Sequence, residues 1–242
     1  MQDVTNFAKE ENMKTFVSSI KNLTKFERTL WIISIVAVAA SYLLAGQGDY
    51  LTLASSVVGV SALIFMAKGD VTGQYITVAF CILYALVSFQ FRYYGEMITF
   101  LCMALPIAIA SIVTWLRNPY AEKEVKVQVL KKRGFLWIGI CTVLVTIALF
   151  FVLRATNTTN LTISTISVAT SFLAACFLML RSPYYAVAYG CNDIVLIIMW
   201  IMASMEDISY APMIVCFVMF LFNDMYGFYN WRRMQRRQKE NG

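Results

Sequence analysis

The sequence contains no histidine and few charged residues. Only 14% of its 242 residues are Asp, Glu, Lys or Arg, whereas 60% are hydrophobic. A soluble domain carries about 25% charged residues, because its surface faces water. The absence of histidine also rules out a metal site built on imidazole ligands. Neither a soluble globular domain nor a histidine-dependent metalloenzyme is compatible with this composition.

The six cysteines carry no metal-binding or redox signature. They form no CxxC pair, and one falls in each of the last six apolar runs of the chain. Isolated cysteines in apolar runs behave as small packing residues. We therefore expect no metal and no other cofactor.

Long apolar runs without charge occupy most of the chain. A helix rising about 1.5 Å per residue needs about 20 residues to cross about 30 Å of hydrocarbon. The runs are apolar at successive positions, which excludes a closed strand barrel with its alternating pattern. The sequence therefore predicts an all-α integral membrane protein with eight transmembrane helices, over 29–47, 50–67, 72–91, 97–116, 134–153, 161–180, 183–204 and 208–229.

The basic residues predict the orientation of these helices. Positively charged loops stay cytoplasmic. If the N-terminus is inside, the cytoplasmic segments hold all 20 Lys and Arg residues except Arg92 and Arg154. We therefore expect both termini, the basic loop 117–133 and the basic tail 230–242 in the cytoplasm. The net charge of +6 then reflects membrane orientation and requires no nucleic-acid partner.

Residues 1–28 precede the first predicted span and have a mixed pattern. Apolar side chains recur there at helical spacing with lysines between them, at Met13, Phe16, Val17, Ile20 and Leu23. This pattern is typical of an amphipathic helix lying in the membrane interface. A partly ordered basic tail is the alternative interpretation.

The segment 51–118 resembles the segment 161–234. Each begins with Leu-Thr, has one basic residue at its first turn (Lys68 or Arg181), continues through an acidic turn and ends with a tryptophan and a basic exit (Trp115-Leu116-Arg117 or Trp231-Arg232-Arg233). Each copy holds three spans, so both copies run in the same direction across the membrane. We predict a 1+3+1+3 plan: an extra helix at 29–49, repeats at 50–116 and 161–229, and a linker helix at 134–153.

Two charged residues lie inside the predicted spans, and each follows an asparagine. A charge at mid-membrane costs on the order of 3 kcal/mol, so it persists mainly where it has a use. The pairs are Asn192-Asp193 and Asn223-Asp224. The asparagines alone could be interhelical hydrogen-bonding residues, but two such pairs near aromatic residues favour a polar cavity.

Helical spacing groups these residues with aromatic and amide side chains. Rings stack on flat groups and attract cations, while amides bond hydroxyls and other amides. Such a set suits a flat ring that carries a sugar or hydroxyl groups, with a cation as one option. The predicted substrate-binding residues are Asn192, Trp200, Asn223, Tyr226, Asp193, Asp224, Tyr189, Gln90, Tyr84 and Gln74.

The order of several short motifs resembles the PnuC family of vitamin transporters over roughly residues 30–235. The first repeat carries Tyr94-Gly95-Glu96, Leu105-Pro106 and Trp115. The second repeat carries Arg181-Ser182-Pro183, Asn192-Asp193, Trp200, Asn223-Asp224-Met225-Tyr226-Gly227 and Trp231.

This resemblance implies a fold related to SWEET transporters and a homotrimer in a bacterial inner membrane. It implies nicotinamide riboside as substrate, with thiamine or riboflavin as alternatives, since relatives carry those vitamins. It also implies facilitated diffusion, with the vitamin trapped by phosphorylation inside the cell. A proton-coupled carrier remains the mechanistic alternative, because buried aspartates can relay protons.

An enzyme is disfavoured by the side chains available. Catalysis needs a convergent set of acids, bases or nucleophiles. The spans offer two aspartates and no nucleophile with an adjacent base. The sequence therefore predicts a carrier rather than a catalyst.

Overall fold

The structure is a computed structural model that describes residues 16–45, 50–121, 124–158 and 160–241. Within these ranges it contains eight long helices. They are α1 (Lys25–Leu44), α2 (Tyr50–Ala67), α3 (Thr72–Gln90), α4 (Tyr94–Leu116), α5 (Lys132–Ala155), α6 (Leu161–Met179), α7 (Tyr184–Glu206) and α8 (Ala211–Glu240). Each has the length and apolar composition to cross a membrane. The predicted all-helical membrane fold with eight spans is confirmed.

The helix ends differ from the predicted span limits. The first helix begins at Lys25 because Thr24 and Glu27 form a capping box, in which each side chain accepts a hydrogen bond from the other residue's backbone N–H. The last helix continues through the predicted basic tail to Glu240, since no proline or glycine interrupts that stretch. Apolarity locates a span, but local capping decides where its helix begins and ends.

The segment before α1 is partly described. Residues 16–21 are helical, and Leu23 packs on Ile64 and Phe65 at the end of α2. Met13, the first apolar residue of the predicted amphipathic pattern, lies outside the described residues.

Contacts between the helices are compatible with two parallel repeats. Helix α2 packs on α8, and α4 packs on α6. If α2 corresponds to α6 and α4 corresponds to α8, the α2–α8 contact of one pair becomes the α6–α4 contact of the other. A two-fold axis along the bundle produces this relation. Helix α1 packs on α2 and α8, and α5 packs on α6 and, through Met103 and Leu153, on α4. The helix predicted as a linker therefore occupies the place in the second half that α1 occupies in the first.

Helix α4 contains an irregular turn that shapes the interior. Residues Phe100–Ala104 form a π-helical turn directly before Leu105 and Pro106. Proline cannot donate the hydrogen bond to the residue four positions earlier, so the preceding turn widens. The widened turn places Phe100 and Ala104 against the central cavity.

The ends of the helices where the basic residues concentrate, called the basic end below, also carry a short antiparallel hairpin. Its strands are β1 (Pro119–Ala121) and β2 (Glu124–Val125). The hairpin docks on the α2–α3 turn, because Val125 N–H donates to the carbonyl of Gly69 at 3.0 Å. It also contacts α8, since Glu124 forms an ion pair with Arg237.

A buried ionic network ties α1 to the rest of the basic end. Glu27 is only 2% exposed. Its carboxylate accepts from Lys68 Nζ at 3.2 Å and from the Tyr226 hydroxyl at 2.8 Å. One carboxylate therefore joins α1, the end of α2 and α8.

Replacing Glu27 with alanine is expected to lower the free energy of unfolding by about 2 kcal/mol. The substitution leaves the Tyr226 hydroxyl without its acceptor and the Lys68 ammonium with only the backbone carbonyl of Asn22. The effect stays below that of a fully buried pair because the Lys68 side chain is 20% exposed. Reversible unfolding in mixed detergent measures the change. Glu124→Ala is the matched control: its partner Arg237 is 52% exposed, and exposed pairs contribute about 0–1 kcal/mol. Equal losses in both variants would contradict this account.

Candidate functional site

A cavity of about 70 Å³ lies in the centre of the bundle, between α2, α3 and α4 of one half and α6, α7 and α8 of the other. It has room for only a few water molecules. Glycine is needed beside it at Gly59, where a Cβ atom would come within 2.4 Å of the Phe220 ring. The position matches that of a substrate path framed by two repeats.

Asn192 is held on one wall of this cavity by hydroxyl groups of α6. Its side-chain oxygen accepts from Thr170 Oγ1 at 2.8 Å and from Ser171 Oγ at 2.9 Å. The Ser167 hydroxyl lies 3.5 Å from the same oxygen. Because the oxygen is occupied and its orientation is set by α6, the amide nitrogen is the group left to bind another molecule.

Two carboxyl groups line the cavity side by side. Asp193 on α7 and Asp224 on α8 interact directly and are each 3% exposed. The Oδ2 atom of each has no hydrogen-bond partner among the described residues. Carboxyl groups this close are able to share one proton. The pair offers negative charge and hydrogen-bond acceptors to whatever enters the cavity.

Gln74 contributes a further unsatisfied group. Its side chain lines the cavity and is fully buried. Neither Oε1 nor Nε2 has a hydrogen-bond partner in the described part of the chain. Buried polar atoms are almost always paired in native proteins. Four unpaired polar atoms around one cavity, from Gln74, Asp193 and Asp224, therefore indicate a site for a polar ligand.

Aromatic rings close the cavity on the side away from the basic end. The Tyr84 and Phe100 rings lie 4.3 Å apart, and Tyr84 also packs on Phe217 at 5.8 Å. Trp200 Nε1 donates to the Tyr84 hydroxyl at 3.3 Å. Beyond it, the Tyr93 ring packs on Trp200 at 5.1 Å. These rings form an aromatic layer between the cavity and that end of the bundle.

Two tryptophans close the basic end in matching positions. Trp115 Nε1 on α4 donates to the Leu178 carbonyl at 3.1 Å, and Trp231 Nε1 on α8 donates to the Met66 carbonyl at 2.9 Å. The two rings are 5.5 Å apart and almost fully buried. Leu178 and Met66 themselves line the cavity. The tryptophans therefore bond each half of the bundle to the other directly beneath the site.

The residue before each tryptophan repeats this contact. Thr114 Oγ1 donates to the Met179 carbonyl at 3.0 Å, and Asn230 Nδ2 donates to the Ala67 carbonyl at 2.9 Å. Carbonyls in a last helical turn lack intrahelical donors, so they are available for such bonds. Opening this end requires two equivalent pairs of hydrogen bonds to break.

Five of the ten predicted binding residues line the cavity: Gln74, Tyr189, Asn192, Asp193 and Asp224. The structure places the other five elsewhere. Tyr84 and Trp200 belong to the aromatic layer. Asn223 donates to Ser34 of α1 at 3.0 Å, Tyr226 donates to Glu27 of α1, and Gln90 is exposed at the far end of α3.

Other polar groups reach the site without having been predicted. Thr77, Ser111 and Ser171 line the cavity. Ser167, Thr170 and Ser171 recur at helical spacing in a hydroxyl-rich stretch of α6. That periodic run of hydroxyls was the available signal for a polar face on α6.

Glu96 corrects the prediction that only two charged residues lie within the spans. The sequence places it in an acidic turn, but the structure places it in the first turn of α4, with no exposed surface. Neither carboxylate oxygen has a hydrogen-bond partner within the residues described, although the Ser167 hydroxyl lies nearby. The helix begins three residues before the predicted span, and this shift carries Glu96 inside.

Comparison with known proteins agrees with this architecture. The chain is 24% identical over 220 residues to a protein of Neisseria mucosa named nicotinamide riboside transporter PnuC, an alignment covering 88% of this chain and 83% of that protein. It is 21% identical over 192 residues to the protein of the same name from Haemophilus influenzae, covering 78% and 82% of the two chains.

A solved structure and a protein family also match. The crystal structure of the vitamin B3 transporter PnuC shares the fold, with a TM-score of 0.77 and 24% identity over 90% of this chain and 94% of that one. The family described as nicotinamide mononucleotide transporter matches residues 49–233. That range includes both halves of the bundle, the cavity and both closures. The chain therefore belongs to the nicotinamide mononucleotide transporter family, and it is a transporter rather than an enzyme.

Proposed function

We propose that this protein carries nicotinamide riboside across the membrane through the central cavity. The observation that supports this most directly is the set of unpaired buried polar atoms on Gln74, Asp193 and Asp224, which face one space between the two halves. A stable scaffold pairs such atoms internally, whereas a binding site leaves them for its ligand. The names of the two relatives favour this substrate.

The chemistry of the cavity matches that of the riboside. Its pyridinium ring carries a positive charge, which the carboxyl pair of Asp193 and Asp224 attracts. The aromatic rings of Tyr189 and Phe220 offer flat surfaces for the same ring. Its carboxamide and ribose hydroxyls need partners of the kind that Asn192 and Gln74 provide. Each kind of polar group on the ligand therefore has a complementary side chain on the cavity wall, and in this proposal the cavity enlarges when it opens to admit the riboside.

Transport requires the cavity to open to each side in turn. The two closures are different in kind: a layer of packed rings on one side, and hydrogen bonds from Trp115 and Trp231 on the other. In this proposal the closures separate alternately around a bound riboside. No coupling ion is required, and phosphorylation of the riboside inside the cell makes net movement inward.

The orientation and assembly of the carrier complete the proposal. The concentration of lysine and arginine at one end supports placing that end, with both termini, in the cytoplasm. We place the protein in a bacterial inner membrane as a homotrimer, following the family resemblance. The exposure of helix α5 supports contact with lipid or neighbouring subunits, because only about a tenth of its apolar residues are buried within the chain.

Calorimetric titration of the purified, detergent-solubilised protein with nicotinamide riboside, thiamine and riboflavin tests the substrate. We expect saturable binding of the riboside alone, since only this ligand combines a cationic pyridinium ring, a carboxamide and a ribose. Uptake of labelled riboside into vesicles that contain the protein tests transport. Binding of thiamine or riboflavin in place of the riboside would overturn the substrate assignment while leaving the carrier function in place.

Proton coupling is a second candidate mechanism, favoured by the contact between Asp193 and Asp224. A shared proton that leaves when the cationic ring arrives would link substrate and proton movement in opposite directions. In vesicles, an imposed pH gradient would then drive riboside accumulation. Uptake that only equilibrates the riboside, with or without a pH gradient, supports facilitated diffusion.

A further inference from the structure

A second pocket, of about 370 Å³, lies at the basic end and shares no lining residue with the central cavity. Its walls are the beginning of α7, the last turns of α8 and the segment 128–130 that leads to α5. The proposed transport path does not pass through it.

Three cations from one face of α8 line this pocket. Arg232, Arg236 and Lys239 are spaced by one helical turn each and all lie in the pocket wall. Among the described residues, no aspartate or glutamate lines the pocket. Within the described part of the chain, neither Arg236 nor Lys239 forms an ion pair. Positive charge is therefore gathered here without a counter-ion from the residues that the structure describes.

Ser182 provides an independent indication of a ligand. It lies two residues before the start of α7, lines the pocket and is 1% exposed. Its hydroxyl has no hydrogen-bond partner among the residues that the structure describes. It is close to the N-terminus of a 23-residue helix, where the helix dipole favours an anion.

The equivalent turn in the first half carries a carboxylate that the turn before α7 lacks. There Gly69, with φ of 74°, precedes Asp70, and Asp70 Oδ1 accepts from the Thr72 N–H at 2.9 Å at the start of α3. In the second half Arg181, with φ of 56°, precedes Ser182. The first half thus supplies its own carboxylate at the start of α3. The second half presents a neutral hydroxyl and three cations at the start of α7.

We propose that this pocket binds a phosphate group. Phosphate oxygens accept from arginine, lysine, a serine hydroxyl and helix N-terminal N–H groups together. The group can come from a soluble phosphate compound or from the headgroup of an anionic phospholipid. The second source has access because the Phe135 and Tyr184 rings in the pocket wall are 37% and 41% exposed.

Two binding measurements on the full-length protein in detergent separate these sources. Inorganic pyrophosphate is titrated by calorimetry, and retention of phosphatidylglycerol against phosphatidylcholine is counted by native mass spectrometry. Ser182→Asp introduces a carboxylate at the position that Asp70 occupies before α3. We expect this variant to bind the anion at least tenfold more weakly. Arg236→Gln is expected to weaken binding of the anion about tenfold.

Arg233→Gln is the matched control, since it removes the same charge from α8 at a residue that does not line the pocket. We expect it to leave both measurements unchanged. Loss of pyrophosphate binding in the pocket variants supports a soluble phosphate, and loss of phosphatidylglycerol retention alone supports a lipid headgroup. The proposal is overturned if the wild-type protein neither binds pyrophosphate nor retains phosphatidylglycerol over phosphatidylcholine. It is also overturned if the pocket variants give the same values as Arg233→Gln in both measurements. Thermal unfolding verifies that each variant is folded, and Ser182→Ala replaces Ser182→Asp if the latter is not.

Discussion

Replacing both Asp193 and Asp224 with asparagine is expected to weaken the binding of nicotinamide riboside by about 100-fold, or about 2.7 kcal/mol. A negative charge about 4 Å from the cationic ring contributes on the order of 4 kcal/mol at an effective dielectric constant of about 20. Part of this is offset by desolvation of the two charges. Asparagine keeps the size of the side chain and its hydrogen-bonding capacity, so the variant removes mainly the charge. Calorimetric titration measures the change.

The reduced, dihydropyridine form of the riboside serves as the matched ligand. It keeps the carboxamide and the ribose but has no charge on the ring. We expect the double variant to bind this neutral form about as well as the wild-type protein does. A similar loss for both ligands would show that the two carboxyl groups support the shape of the cavity and do not act through their charge.

Replacing Asn192 with alanine is expected to weaken riboside binding by about 20-fold, while Asn223→Ala leaves it nearly unchanged. Loss of a buried hydrogen bond with an unpaired partner costs about 1–3 kcal/mol, and Asn192 is the asparagine that lines the cavity. Asn223 instead donates to Ser34 of α1 and to the carbonyl of Met219. Calorimetric titration of both variants with the riboside compares their affinities after the same Asn→Ala substitution.

The thermal stability of the Asn192→Ala and Asn223→Ala variants must be measured together with their affinities. Asn192→Ala removes the acceptor of the Ser171 hydroxyl, whereas the Thr170 hydroxyl keeps backbone carbonyls of its own helix as acceptors. Asn223→Ala removes the hydrogen bond to Ser34. Both variants are therefore expected to unfold at a lower temperature than the wild type. Equal losses of affinity would contradict the assignment, because they would follow the shared loss of stability and not the position of the side chain.

The eight spans could be predicted because the cost of placing charge in hydrocarbon is a property of each segment alone. The same reasoning found Asp193 and Asp224, which both line the cavity. It missed Glu96, whose neighbours Arg92 and Tyr93 are typical of a turn. Burial of that carboxyl depends on the helix starting at Tyr94 and on α6 lying beside it.

The two Asn-Asp pairs show the limit of helical spacing. Successive residues differ by about 100° around a helix axis, so the sequence relates Asn223 to Asp224 but not to the neighbours that each one meets. In α7 both members of the pair face the cavity, whereas in α8 only Asp224 does. Asn223 and Tyr226 turn to α1, a helix more than 180 residues earlier in the chain.

The helices, their number and the candidate charged groups thus follow from the sequence, because hydrophobicity and helical periodicity act over about 20 residues. The cavity, its aromatic layer and the paired tryptophan bonds follow from the packing of segments far apart in the chain. Trp115 meets Leu178, and Trp231 meets Met66. Such contacts depend on the rotation and depth of each helix against its neighbours, which in a membrane are set by close packing and interhelical hydrogen bonds and not by hydrophobicity.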